Sequence, residues 1–319
     1  MRSKGDLVEQ HLAKCAPYDS NPFTALNTAF LNDGIFVHVP KGVHLSGPLH
    51  LLFALTSESS DTVSHPRVLV VFEEESTGTI VESYVGLSSN QYFTNAVTEV
   101  VVGAGSTVKH YKIQQQSERA FHITNTHDRN CRDSSYASVN IDLGGRLVRN
   151  NLNVLMEEEG SSCMLNGLYM VAGTQHVDNQ VIIDHASSHT YARELYKGIL
   201  DGQSRSVFHG SIIVRSNIRK VDALQIDKNL LLSDQAEADT KPAFWIYSDD
   251  VKCGHGAACG ELDESMTFYL KSRGIGEDAA RGLLVRGFVT EVIDSIDNES
   301  VRIYVDQLVH TKLQKWLEG

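Results

Sequence analysis

From Ile35 to about Ile246 the chain is written in short apolar and β-branched runs separated by turn residues. Ile35-Phe36-Val37-His38-Val39, Arg67-Val68-Leu69-Val70-Val71-Phe72, Thr98-Glu99-Val100-Val101-Val102 and Val181-Ile182-Ile183 are examples, and runs of this kind read as strands. Few long segments between them carry a helical period, which disfavours βαβ units. Against a β-sandwich stands a recurring local pattern, a glycine turn followed by a run with alternating sides. It occurs from Gly105 to Ile113 and from Gly145 to Val154. It recurs after Gly160 (Cys163, Leu165, Leu168, Met170) and after Gly202 (Val207, Phe208, Ile212, Val214). Imperfect repeats of this sort suit a parallel β-helix, where each coil buries its inward residues only by stacking on the next. Such a stack has open coil ends, and an unpaired edge invites another chain.

The period changes at both flanks. Asn21-Pro22 can open a short helix with Phe23, Leu26 and Phe30 on its apolar side, and Gly34 is suited to ending it. Beyond Gly260, Asp263 can cap a helix carrying Met266, Phe268, Tyr269 and Leu270. Gly274 would end it, with Ile275 as the hydrophobic contact of the turn. A second helix follows Gly276, with Glu277 and Asp278 favourably placed in its first turn. Its apolar positions are Ala280, Leu283, Leu284, Gly287, Phe288, Val292 and Ile296. A third starts near Ser300 and carries Val301, Val305, Leu308, Lys312 and Trp316 on one side. Each stripe is expected to pack on the body of the protein. The expected organisation is a helical lead-in over 1–34, a parallel β-helix over 35–248, and a joint with a C-terminal helical subdomain over 249–319.

Composition narrows the functions. A chain of 319 residues can bury a large core, and a formal charge of −12 with no basic run argues against nucleic-acid binding. Five cysteines, odd in number and without paired short spacing, suggest free thiols in a reducing compartment. With no CxxC, a closed structural zinc site is disfavoured. Met1 to Asp6 lacks the apolar stretch of a signal peptide, and no run of about 18 apolar residues occurs. The expectation is a cytoplasmic protein with no membrane span. There is no GxxxxGK[ST], so ATP is not expected to be held by this chain, and neither GxSxG nor HExxH is present.

The densest set of metal-capable side chains lies where strand period gives way to helix period, in Asp249–Glu264. In a strand, Cys253 and His255 point to the same face about 7 Å apart, near enough to share one metal or cluster but not to complete its coordination. A small, partly buried cysteine beside a hydrogen-bonded histidine is the plainer alternative. Other candidates are weaker. His185 and His189 are about 13 Å apart on a strand, too far to chelate jointly, and His176 shares their strand-like context. Asp178, Asp184 and Asp201 read as turn-formers more simply than as a catalytic carboxylate cluster. Cys131 and Cys163 read as buried small hydrophobes.

The stretch DDVKCGHGAACGELDE, followed by FYLKSRGI, resembles the C-terminal signature of the SufB/SufD family of iron–sulfur cluster assembly proteins. The resemblance extends back through QHVDNQVIIDH, ELYKGIL, SVFHGSIIV and LQIDKNLLLS and covers roughly residues 20–300. The SufD branch fits better, through QHVDN and ELYKG and the absence of a tryptophan-containing segment of the SufB branch. The resemblance implies a mainly β fold, a right-handed parallel β-helix with a C-terminal helical subdomain, and a non-enzymatic scaffold role. The implied partners are a SufC-like ATPase, docked on the helices around Ile275–Ile296, and a SufB-like subunit or a second copy joined through the end of the β-helix. Iron or a transient iron–sulfur cluster would be shared across that junction, with Cys253 and His255 contributed from this side. Gly254, Ala258 and Cys259 depart from the Ser, Thr and aliphatic residue usual there. Arg149 and Asn151 fall where family members, chiefly of the SufB branch, have functional polar residues. Relatives of this kind usually carry a longer helical N-terminal region. Two rivals remain: a purely structural spacer of the same complex, and a β-helix carbohydrate-active enzyme, which would call for a secretion signal.

Overall fold

A computed structural model describes residues 4–19, 21–56 and 61–318. Positions 1–3 and 20 of the expected lead-in lie outside the described residues. Every strand pairing is parallel, and the strands fall into two sheets. One sheet runs from Ile35–Val39 to Glu237–Ile246, with the short strand Thr62–Ser64 beside Tyr92–Val102. The other runs from Leu49–Leu55 to Val251–Glu261. From Arg67 onward the chain alternates between the sheets, each strand pairing with the second one after it. Leu147 lies opposite His176 and His176 opposite Arg205, so one coil takes 29 residues here. The result is a parallel β-solenoid of about eight coils.

The glycine turns fall where the sequence puts them. Gly145 and Gly160 adopt φ of +83° and +79°, a region open to glycine and strained for other residues. A Cβ on Gly160 would also lie 2.0 Å from Asp133 Oδ1 of the preceding coil.

Inside the solenoid, alternate residues of successive strands stack into columns. Leu152, Val154 and Met156 meet Val181, Ile183 and His185, which meet Gly210, Ile212 and Val214. Each inward side chain is sealed by the facing sheet and by its counterparts one coil before and after, so a coil depends on its neighbours for burial.

A second core lies outside the sheet that ends at Val251–Glu261. Its outward residues Ile113, Val139, Ile141, Leu168, Met170 and Ile199 are covered by the C-terminal helices. Helices α1 (Lys4–His11), α2 (Pro22–Ala29), α3 (Glu264–Ser272), α4 (Glu277–Asp294) and α5 (Glu299–Glu318) complete the chain. In α4 the sheet-facing line is Val285, Val289, Val292, Ile293 and then Ile296, while Leu283 and Gly287 of the expected stripe are exposed. Apolar residues surround this helix, so periodicity alone does not choose its face. In α5, Val301 and Val305 pack as expected, joined by Val309 and Leu313. Lys312 is buried there and donates to Leu143 O at 2.7 Å. The stripe expected to pack on α3 does not: the helix buries no residue, and Phe268 is 73% exposed. Its main neighbour is α4, and Met266, Phe268 and Tyr269 stay exposed while Leu270 is partly buried.

At the other end, Asn21 Oδ1 caps α2 by accepting the N–H groups of Phe23 and Thr24. The helix stops at Ala29, capped by Phe30, before reaching Gly34. Its buried face is polar rather than apolar. Asn27 Nδ2 donates to Pro66 O and Asn95 O at 2.8 and 2.9 Å, while Phe30 stays exposed. Residues after α1 are held on the first sheet by buried Glu99, which accepts the N–H groups of Ala13, Cys15 and Ala16 and pairs with Arg67.

Candidate functional site at the open end

The last coil consists of Glu237–Ile246 in one sheet and Val251–Glu261 in the other, and each strand pairs on one side only. The link between them is tied back to the coil before: Lys220 N–H donates to Asp250 O at 2.7 Å, and Lys220 Nζ pairs with the Asp250 carboxylate.

Parallel register fixes which way the candidate residues face. Cys253 lies opposite Ala223 and His255 opposite Gln225, and both partners are buried inward residues. Cys253 and His255 therefore occupy lumenal positions of a coil that no later coil covers. Cys253 is half-buried and packs against the apolar core. His255 is exposed, and its ring stacks on Phe244 of the facing strand, with centroids 4.4 Å apart and planes at 29°. Among the described residues no side-chain hydrogen bond holds this imidazole; the aromatic stack does. Cys259 has the same parity as Cys253 and His255 and is exposed. Three soft or intermediate donors thus line one face of one strand at the mouth of the solenoid.

Burial pushes the Cys253 thiol up, with a backbone hydrogen bond to Ala223 pulling the other way. Burial and the Asp227 carboxylate push Cys259 up as well. Each is therefore harder to ionise than an ordinary cysteine. A metal ion must displace their protons, so ligation is coupled to whatever brings the ion and its remaining ligands.

The other sequence candidates are dispersed. His185 is buried, shares a hydrogen bond with Thr190 Oγ1 at 2.7 Å and has its pKa lowered to about 4 by burial. His189 sits in a turn at φ +57°, beside Glu159, and His176 begins the strand that His185 ends. Asp178 pairs with Arg149, Asp184 with Arg215, and Asp201 lies in a coil turn, so no carboxylate cluster forms. Arg149 also donates to Asn151 Oδ1 at 3.2 Å. Cys163 is fully buried. Cys131 is half-buried with Glu157 and Glu158, their ligand atoms within 4.8 Å of one another. These three come from successive coils, and Glu157 is already paired with Arg129.

Two features escaped sequence reasoning. One is Phe244, whose role as the surface under His255 depends on the facing sheet. The other is a set of buried polar residues in the lumen, Glu194, Gln225 and Asp227 among them. The alternation in QHVDN- and LQIDKN-like runs marks inward polar positions, but only the register shows which stack.

Beside the mouth lies a cleft of about 460 Å³ between the last coils and the start of the helices, lined by residues including Leu232, Leu262, Phe268 and Arg281. Phe268 of α3 is exposed where it lines the cleft, and Met266 and Tyr269 of the same helix are exposed as well. No helix among the described residues is long and apolar enough to cross a membrane.

Fold and site together define a class: a parallel β-solenoid with sulfur and imidazole donors on the inner face of an uncovered last coil. The chain belongs to the SufBD family. The family profile described as SUF system FeS cluster assembly, SufBD core domain, matches residues 53–288, and that of the SufBD protein N-terminal region matches residues 1–51. An iron-sulfur cluster assembly SufBD family protein of Synechocystis sp. is 35% identical over 90% of this chain and 65% of its own length. The chloroplastic protein ABCI7 of Arabidopsis thaliana is 34% identical, over 88% of this chain and 60% of its own. Iron-sulfur cluster assembly protein SufD of Escherichia coli is 29% identical, over 88% and 67%. The chain thus spans about two thirds or less of the length of these relatives.

Proposed function

We propose that this chain is a SufD-like scaffold subunit that joins a SufB-like β-solenoid and a SufC-like ATPase to assemble iron–sulfur clusters in the cytoplasm. The observation that carries the reading is the lumenal, uncovered position of Cys253 and His255. Iron or the nascent cluster is cargo. This side offers one thiol and one imidazole, and the incomplete set both requires a second subunit and lets the product leave. The unpaired edges of the last coil, with Trp245 and Tyr247 exposed beside them, support an end-to-end junction. The apolar face of α3 and the adjoining cleft support docking of the ATPase, which would bring the nucleotide chemistry that this chain lacks a P-loop to perform. Movement of those helices would then be transmitted to the mouth through the Val251–Glu261 strand, which runs directly into α3. Five free cysteines fit a reducing compartment.

One observation favours the spacer reading: Cys253 packs partly into the apolar core, and that burial pushes its thiol pKa up. Two experiments test the proposal, and the second separates the two readings. Co-expression with a SufB-like subunit and a SufC-like ATPase is expected to yield one complex; failure to co-purify would end the scaffold reading in both forms. Within the complex, His255→Ala is expected to slow anaerobic cluster assembly at least tenfold, whereas a spacer would assemble clusters at the wild-type rate.

A further inference from the structure

Inward from the mouth, two buried side chains are orphaned at every polar atom. In the sheet that carries Cys253, Leu165 lies opposite Glu194, Glu194 opposite Gln225, and Gln225 opposite His255. Neighbouring strands are about 4.8 Å apart, so this column enters the lumen from His255 in two steps. Glu194 is 3% exposed and Gln225 0%. Neither oxygen of Glu194 and neither terminal atom of Gln225 has a hydrogen-bond partner.

Other lumenal acids are better served. Asp142 Oδ2 accepts from Asn140 and Asn150 at 2.6 and 2.7 Å. Glu82 accepts from Thr98 and shares a hydrogen bond with His110. Asp227 Oδ2 accepts from Asn229 and Thr240, with Oδ1 left over. Burying a polar group without a partner is costly, and two adjacent ones call for a ligand that supplies what the protein does not.

The chemistry of that ligand follows from the donors. The atoms on offer are chiefly acceptors: both Glu194 oxygens, Gln225 Oε1 and Asp227 Oδ1. Asp227 is near enough for its charge to bear on Glu194. Among the described residues no lysine or arginine pairs with Glu194. Lys197 on the same strand turns outward to Phe288 O and Glu291. Oxygen donors of this kind suit a hard to intermediate divalent cation, not a soft one. Inward the column is closed by Leu165, so the way in is from the mouth.

We propose that Glu194 and Gln225, with Asp227 beside them, form an internal site for a divalent cation of the ferrous or manganous type, entered past His255. It is separate from the sulfur and imidazole set at the mouth and does not depend on their ligating anything.

Manganese is the probe. Mn²⁺ is titrated into the full chain and the free ion is read by electron paramagnetic resonance. Wild type and the double variant Cys253→Ser/His255→Ala are expected to bind one ion with the same Kd within twofold. Glu194→Gln, which keeps shape but can no longer give up a proton to offer the ion a carboxylate, is expected to weaken binding at least tenfold. Gln225→Glu is expected to tighten it at least tenfold. Equal binding by wild type and Glu194→Gln would overturn the proposal, as would no binding to wild type below millimolar Mn²⁺. Loss of binding in the double variant would also overturn it and assign the ion to the mouth. If Glu194→Gln fails to fold, as judged by thermal unfolding, Gln225→Glu decides: no gain in affinity sinks the site.

Discussion

Cys163 and Cys253 occupy the same inward column, linked in register through Ala192 and Ala223. The first is sealed at 0% exposure, while the second stands half-buried at the mouth. Their strands have the same pairing geometry, and what separates them is whether a coil follows. A solenoid buries each inward residue with its neighbours, so its last coil shows solvent what every other coil hides. In the two coils before it those positions are sealed whatever their chemistry, as at Ala192, Glu194, Tyr196, Ala223, Gln225 and Asp227; in the last strand Cys253, His255, Ala257 and Cys259 stand at the open face. Core-type geometry with donor-type residues is what makes the end a candidate site.

The sharpest way to break that comparison is thiol labelling. Cys253 and Cys259 are expected to react with a maleimide in the native chain at least 10³-fold faster than Cys163, which is exposed only by global unfolding. Comparable rates, read by mass spectrometry of the labelled peptides, would contradict the sealed-versus-open distinction. Packing tells the same story at smaller scale. Phe208→Ala in a middle coil is expected to cost about 3–5 kcal/mol in denaturant unfolding. His255→Ala at the mouth is expected to cost under about 1 kcal/mol. Equal losses would mean that the last coil is as well packed as the rest.

Glu194 sharpens the contrast through pH. Burial, with the charge of Asp227, raises its carboxyl from 4.5 to about 8. The folded chain therefore holds a proton that the unfolded chain releases, and the associated stability is full below about pH 4.5 and lost as pH rises through 8. In metal-free buffer Glu194→Gln is expected to match wild type near pH 5 and to exceed it by a few kcal/mol, to order of magnitude, near pH 8. A gap that does not change between the two pH values would contradict this assignment. The smallest stability effect belongs to α3. Phe268→Ala is expected to change stability by less than about 0.5 kcal/mol, because the ring is 73% exposed. Capture of the SufC-like ATPase by the same variant should fall sharply, and undiminished capture would move the docking site elsewhere.

Much of this was legible in the chain. Short β-branched runs, glycine turns at Gly145 and Gly160, and the change of period at Gly260 specify a stacked parallel fold, because local turns and alternation suffice when each coil repeats the last. Cys253 and His255 were legible as a same-face pair, since that needs only the strand period. The helix faces were less so. Apolar residues surround α4, and which line meets the sheet is decided by the flat valine and isoleucine surface it lands on. The exposed stripe of α3 could not be foreseen, because whether a stripe is covered depends on where the sheet ends. Glu194 and Gln225 were invisible for a related reason. Their alignment with His255 is a matter of register between strands some thirty residues apart, and no local pattern encodes it.

The most direct test of the proposed role is ⁵⁷Fe Mössbauer spectroscopy of the anaerobically assembled complex with the SufB-like and SufC-like partners, comparing wild type with Cys253→Ser/His255→Ala. The account predicts an iron or cluster signal in wild type that falls at least tenfold in the variant while subunit stoichiometry is unchanged. An undiminished signal with the same isomer shift, in an intact complex, would contradict it.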